Sequence, residues 1–117
     1  MAKAPNWLQE IQFFYRRMTL YPISATAQAL WQYLMVRANG TFWIYPLCLS
    51  QQEIAGVLSV STSAVRRARD ELVQNKYIYY LEGRKRHPGE YVLLSCRDPK
   101  RLMCGGSSQV LMLQLKD

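Results

Sequence analysis

Residues 50–95, SQQEIAGVLSVSTSAVRRARDELVQNKYIYYLEGRKRHPGEYVLLS, decide the fold of this chain. Residues 50–53, SQQE, form a capping-box sequence, which predicts a short helix that ends near Leu58. Ser61 is a typical N-cap residue and predicts a second helix over residues 62–75. The stretch therefore begins with two short helices that are separated by a tight turn.

Two runs with the composition of β-strands follow the second helix. Residues 77–81, YIYYL, are rich in aromatic and β-branched side chains, and residues 90–95, EYVLLS, are suited to a return strand. Residues 82–89 between them contain two glycines and a proline, which predicts a turn. The order helix, turn, helix, hairpin predicts a mainly α fold with a small β-hairpin, namely a winged helix-turn-helix.

Two further helices are predicted before this stretch. Residues 6–18 repeat apolar side chains along one face, and Asn6 is a suitable N-cap. A second helix over residues 24–40 opens on a serine and closes on a glycine. Residues 41–49, TFWIYPLCL, favour a short strand, which Pro46 restricts to the edge of a sheet. The first of these helices is additional to the winged helix.

The length of 117 residues fits one domain with one hydrophobic core. We expect a winged-helix DNA-binding domain with an N-terminal helical extension over residues 1–97, and a C-terminal tail over residues 98–117. Within the tail, residues 109–115, QVLMLQL, are apolar but too short to classify by their period. Two roles remain open for this run, namely packing over the core and forming the contact of a homo-oligomer.

The charge of the chain favours nucleic acid as a partner. Fifteen lysines and arginines stand against eight acidic residues, which gives a net charge of +7. Such a surface attracts polyanions. Because no apolar run approaches the roughly 20 residues that a membrane span needs, and the first residues lack the apolar region of a signal peptide, we expect a cytoplasmic protein without a membrane partner.

The cysteines and the single histidine predict neither a metal site nor a disulfide framework. Cys48, Cys96 and Cys104 lack a CxxC spacing, and His87 stands beside Pro88 in the predicted turn. Free thiols are typical of the cytosol. The sequence also lacks paired catalytic carboxylates and a phosphate-binding glycine loop, so we expect no cofactor, no catalytic residues and no enzyme.

The second helix of the motif has the side chains that DNA recognition requires. On a helical wheel it buries Val65, Ala68 and Leu72 and turns polar residues to the opposite side. Arginine can bind guanine or phosphate, and hydroxyl groups at a helix N-terminus can reach phosphate. Asp70 would repel phosphate, so we expect it to orient a neighbouring arginine, Arg66 or Arg67. The predicted DNA contacts on this helix are Thr62, Ser63, Arg66, Arg67 and Gln74.

The hairpin tip adds three cations, Arg84, Lys85 and Arg86, which can lie on the phosphate backbone or enter the minor groove. Other basic residues have a structural interpretation. Arg16 and Arg17 close the first helix, where they can complement its dipole. Ser59 stands at the turn position where glycine is usual, because glycine readily adopts a positive φ, so a serine there indicates either a slightly different turn or some strain.

The pattern S-x-x-x-V-x-R-A-R-x-E-L over residues 61–72 is fairly specific. It lies within residues 49–78. Together with residues 10–17, 20–35 and 89–94, this stretch resembles the N-terminal winged-helix domain of phage and mobile-element replication proteins of Gram-positive bacteria, the replisome-organiser and DnaD-like initiators. The resemblance covers about three quarters of the chain. It implies a winged helix that binds origin DNA, or assembles on it, and helps to load the replicative helicase. The winged helix of such proteins can also oligomerise. The partners we expect are therefore double-stranded DNA, a helicase or its loader, and a second copy of the chain.

Two features depart from that family. Residues 41–48 lack the longer polar and aromatic connection that the family leads us to expect, and the chain ends soon after the domain. Both a fragment and a small stand-alone protein therefore remain open. Two alternatives to replication initiation also remain open, namely a small helix-turn-helix transcription regulator and a winged-helix module for protein interaction or oligomerisation.

Overall fold

The computed structural model describes residues 6–103 of the chain. Within them, four helices and a three-stranded antiparallel sheet form a mixed α/β fold, which confirms the predicted mainly α fold with a small hairpin. None of the helices in this range has the length and apolar character that crossing a bilayer requires. The predicted apolar run 109–115 lies outside the described residues. The elements are α1 (Trp7–Met18), α2 (Ala25–Gly40), β1 (Leu47–Leu49), α3 (Gln51–Leu58), α4 (Thr62–Gln74), β2 (Ile78–Leu81) and β3 (Gly89–Leu93).

Each helix begins where its capping residue predicts. The side chains of Asn6, Ser24, Ser50 and Ser61 each accept a hydrogen bond from a backbone N–H three residues later, over 3.1–3.2 Å. At the start of α3 the Glu53 carboxylate also accepts from the Ser50 N–H, so the capping box is complete. These bonds satisfy N–H groups that have no partner inside the helix.

The sheet has the order β1-β3-β2. Leu47 of β1 pairs with Tyr91 of β3, and Ile78 of β2 pairs with Leu93 of β3. The edge position predicted for the first strand is confirmed, but the strand is shorter than residues 41–49. Phe42 and Trp43 have φ angles of 55° and 61°, so the chain turns there and cannot be extended.

The centre of the core is an aromatic cluster. The rings of Phe14 and Trp31 are stacked with centroids 3.8 Å apart and an interplanar angle of 3°. Tyr77 meets the Phe14 ring edge-on at 5.4 Å. Because these three residues come from α1, α2 and the start of the hairpin, the cluster joins the N-terminal helix to the rest of the fold.

A buried carboxylate links the two ends of the described chain. Glu10 of α1 is 9% exposed and accepts hydrogen bonds from the Ser95 hydroxyl at 2.8 Å and the Cys96 N–H at 2.9 Å. Beyond these residues, Leu102 pairs with Leu94 and is buried with Met103. The described structure therefore extends past the predicted domain end at residue 97.

An ion pair holds α3 on α2. The Arg37 guanidinium donates to the Glu53 carboxylate at 2.7 Å and to the Tyr33 hydroxyl at 2.9 Å. The hydrogen bond from Arg37 holds the pKa of Glu53 below its usual value. The same carboxylate thus closes the capping box of α3 and fixes that helix to its neighbour.

Of the two alternatives for Ser59 in the turn between α3 and α4, the structure has the strained one. Its backbone is left-handed, with φ 58° and ψ 46°. The Ser59 N–H donates to the Ala55 carbonyl, and the Val60 N–H donates to the same oxygen at 3.1 Å. The conformation ends α3 and sets the direction in which α4 begins, although serine has a Cβ atom that disfavours it.

We expect Ser59→Gly to raise the free energy of unfolding by about 0.5–1 kcal/mol, because glycine adopts the left-handed conformation without a Cβ clash. Ser59→Ala is the matched control, since it keeps the Cβ atom and removes only the hydroxyl. Urea unfolding of the three proteins measures the difference. A glycine variant no more stable than the alanine variant would contradict the interpretation of this turn.

Candidate nucleic-acid interface

Helix α4 has the two faces that its sequence predicts. Val65, Ala68 and Leu72 are buried against α2 and α3. The opposite side is turned to solvent, and every predicted contact residue of α4 lies on it. The exposed set is Thr62, Ser63, Arg66, Arg67 and Gln74.

Polar contacts hold the C-terminal half of α4. Both oxygens of the Glu71 carboxylate accept from Ser24 at the start of α2, one from its N–H and one from its hydroxyl, each at 2.7 Å. The Arg17 guanidinium donates to the carbonyl of Asn75, the C-cap of α4, at 2.9 Å. Helices α1 and α2 thus fix the position from which α4 presents its outer face.

Arg17 serves a different helix from the one predicted. It closes α1, but its guanidinium binds the C-terminal end of α4 and lies over the rings of Tyr21 and Tyr77, at 4.5 and 5.3 Å. A cation there complements the negative end of the α4 dipole. Arg16 is exposed and lies over the Phe13 ring at 5.2 Å.

Arg69 connects α4 to the hairpin. Its side chain is buried, with the guanidinium carbon 4.2 Å from the centre of the Tyr80 ring and Nη1 3.3 Å from the Tyr80 hydroxyl. Burial raises the pKa of the neighbouring Tyr91, and the Arg69 guanidinium opposes that rise. Arg69 therefore has a structural role, whereas Arg66 and Arg67 on the same helix are exposed.

Asp70 was predicted to orient Arg66 or Arg67, and this prediction was wrong about the arginine. Its carboxylate lies 3.9 Å from Arg69 Nε rather than beside Arg66 or Arg67. Asp70 directly follows Arg69 in the helix, so its exposed carboxylate lies within reach of that guanidinium.

The hairpin tip presents its basic residues on a tight turn. Arg84 and His87 exchange backbone N–H to carbonyl bonds of 2.9 Å each, and Arg86 has a φ of 65°. The three predicted contact residues, Arg84, Lys85 and Arg86, are all exposed. An open concavity of about 430 Å³ beside the tip is lined by Leu81, Glu82, Arg84, Lys85, His87 and Glu90.

A cluster that the sequence pattern did not predict lies beside this turn. Cys48, His87 and Glu90 each place one potential ligand atom within 4.8 Å of the other two. His87 Nε2 is 2.8 Å from the Glu90 carboxylate, and Cys48 is paired with Glu90 across the sheet. His87 and Glu90 are near neighbours in sequence, but Cys48 is distant from both, and the register of β1 on β3 brings it beside them.

Comparison with known proteins gives no match: no family model, no curated protein and no solved structure is significantly similar to this chain. The resemblance to replisome-organiser proteins therefore rests on the sequence motifs alone.

The different surroundings of the arginines on α4 predict different effects on stability. Arg69→Ala should lower the free energy of unfolding by about 1–3 kcal/mol, because it removes a buried charged hydrogen bond and a cation–π contact. Arg66→Ala is the matched control, and a surface substitution of this kind should change stability by less than about 0.5 kcal/mol. Thermal and urea unfolding measure both. Equal effects of the two variants would show that the burial of Arg69 is unimportant.

Proposed function

We propose that this protein is a winged helix-turn-helix that binds double-stranded DNA, with α4 in the major groove and the β2–β3 hairpin as the wing. The observation that carries the proposal is the composition of the outer face of α4, which has exposed arginines and hydroxyl groups opposite a fully buried apolar face. The element order and the strand order β1-β3-β2 support it. In this proposal α1 is the additional N-terminal helix.

The N-terminal half of α4 is the part suited to the major groove. An α-helix fits that groove, and residues near the start of a recognition helix usually contact the base edges. Arg66 and Arg67 can each bind guanine through two hydrogen bonds, and Thr62 and Ser63 stand where N–H groups and hydroxyls can bind phosphate. Gln74 lies twelve residues after Thr62, about 18 Å further along the axis of α4, so its expected contact is to the flanking DNA backbone.

The wing supplies contacts that carry little sequence information. Arg84, Lys85 and Arg86 are exposed cations on a turn fixed by two backbone hydrogen bonds. Such residues bind phosphates or a narrow minor groove. If these three and the two arginines of α4 all meet phosphates, the logarithm of the affinity should fall with the logarithm of the salt concentration with a slope of roughly −4 to −5.

The biological setting that we propose is replication initiation of a phage or mobile element in the cytoplasm. It is supported by the resemblance carried by residues 61–72. A replicative helicase or its loader is the protein partner that this role implies. If the protein were found to repress a promoter, this would instead favour the alternative of a small helix-turn-helix transcription regulator.

One observation favours the second candidate, a protein-interaction module. An apolar groove of about 200 Å³ lies between α1 and α2, lined by Ile11, Tyr15, Trp31, Gln32, Met35 and Val36. Val36 is 60% exposed at its rim. A module of this kind would have no salt-sensitive affinity for DNA.

We expect the double substitution Arg66→Ala/Arg67→Ala to lower the affinity for duplex DNA at least about tenfold. A good contact to a base contributes about 1–3 kcal/mol, and this variant removes both exposed arginines of α4. Replacement of Arg84, Lys85 and Arg86 by alanine should also make the salt slope shallower, by about one for each cation that binds a phosphate in the wild type. Fluorescence anisotropy with labelled duplex and single-stranded DNA at several salt concentrations measures both effects.

The control for the first variant is Arg16→Ala/Arg97→Ala, which removes two exposed positive charges outside α4 and the wing. It should retain most of the duplex affinity. Failure of the wild type to bind DNA at low salt would refute the proposal. An equal loss in the control would show that binding depends on net charge rather than on the face of α4.

A further inference from the structure

Cys48, His87 and Glu90 lie together where the edge strand β1 pairs with β3. Cys48 of β1 and Glu90 of β3 are directly paired, and His87 closes the hairpin turn three residues before Glu90. A sulfur, a nitrogen and an oxygen atom from these residues all lie within 4.8 Å of one another. Cys48 and His87 are exposed and Glu90 is half-buried, so solvent ions can reach all three.

We propose that Cys48, His87 and Glu90 bind one Zn²⁺ ion, which fastens the hairpin turn to the edge strand. Thiolate, imidazole and carboxylate are the three ligand types that zinc takes from proteins. Around a tetrahedral ion with bonds of about 2.0–2.3 Å, the ligand atoms are separated by roughly 3.3–3.6 Å. Small rotations of these three side chains bring the observed cluster to that geometry, with water as the fourth ligand.

The charges of the cluster suit a divalent cation. The thiolate of Cys48 and the carboxylate of Glu90 together neutralise the ion, and the thiol proton passes to solvent when the metal binds. The cations Arg84, Lys85 and Arg86 on the same turn oppose binding. Their effect is weakened because they are exposed and therefore screened by salt.

Cys48 differs from the other thiol that the structure describes. Cys96 is buried, and this burial, with the neighbouring Glu10 carboxylate, raises the pKa of its thiol. It therefore stays protonated and is a poor ligand. Cys48 is exposed on a strand edge beside two further ligand groups. Buried apolar packing, the usual role of a free cysteine, does not account for that position.

Titration of the full chain with Co²⁺ tests the site without reference to DNA. Cobalt takes the place of zinc and, when a thiolate binds it, gives a charge-transfer band in the near ultraviolet. The wild type should bind one Co²⁺ per chain, and Zn²⁺ should remove the band. Zn²⁺ should also raise the Tm of the wild type, because it binds the folded state.

Three variants each remove one ligand, namely Cys48→Ser, His87→Gln and Glu90→Gln. Changes that only perturb the surroundings of a metal lower its affinity about 10–100-fold, so each variant should weaken binding at least about tenfold. Cys104→Ser is the matched control, because it removes a different thiol. The circular dichroism of each metal-free variant verifies its fold, and the three independent substitutions keep the test decisive should one of them unfold.

The proposal is overturned if the wild type gives no thiolate-to-cobalt band. It is equally overturned if the band persists in Cys48→Ser, disappears in Cys104→Ser, or is unchanged in both His87→Gln and Glu90→Gln. None of these outcomes bears on the binding of DNA, so the metal site and the proposed function are tested separately.

Discussion

The stacking of Phe14 on Trp31 is the interaction on which the rest of the structure depends. It joins α1 to α2, and the edge-on contact of Tyr77 with Phe14 joins both to the start of the hairpin. The Tyr77 hydroxyl donates to the Tyr21 carbonyl at 2.9 Å, and burial raises the pKa of this tyrosine to about 12. The N-terminal helix is thus part of the core, although the proposed winged helix does not require it.

Helix α4 has its stabilising contacts on one side and exposed polar residues on the other. Its inner face is held by buried apolar residues, by the contact of Glu71 with Ser24 and by Arg69 against Tyr80. Nothing on the outer face is needed for these contacts. Substitutions of the exposed arginines should therefore leave the position of the helix and the stability of the fold largely unchanged.

The parts of the fold that were predictable from sequence are those decided locally. The N-cap residues depend on a few neighbours, and the structure confirms them. For Ser59 the sequence left a different turn and a strained one open, and the structure has the strained one. The first strand is shorter than predicted because Phe42 and Trp43 turn the chain, which composition does not reveal. The cluster around Cys48 was not predictable, since it depends on a strand register that brings distant residues together. The DNA contacts remain predictions, because exposure is a condition for them and not a proof.

The hydrogen bonds between Glu10 of α1 and the segment after β3 have a consequence for biosynthesis. Glu10 is separated by 85 residues from Ser95 and by 86 from Cys96, the two residues that donate to its carboxylate. As translation proceeds from the N-terminus, the first helix leaves the ribosome long before its partners exist. The domain can therefore close only when nearly all of its described residues have emerged, and until then the apolar face of α1 needs protection from aggregation.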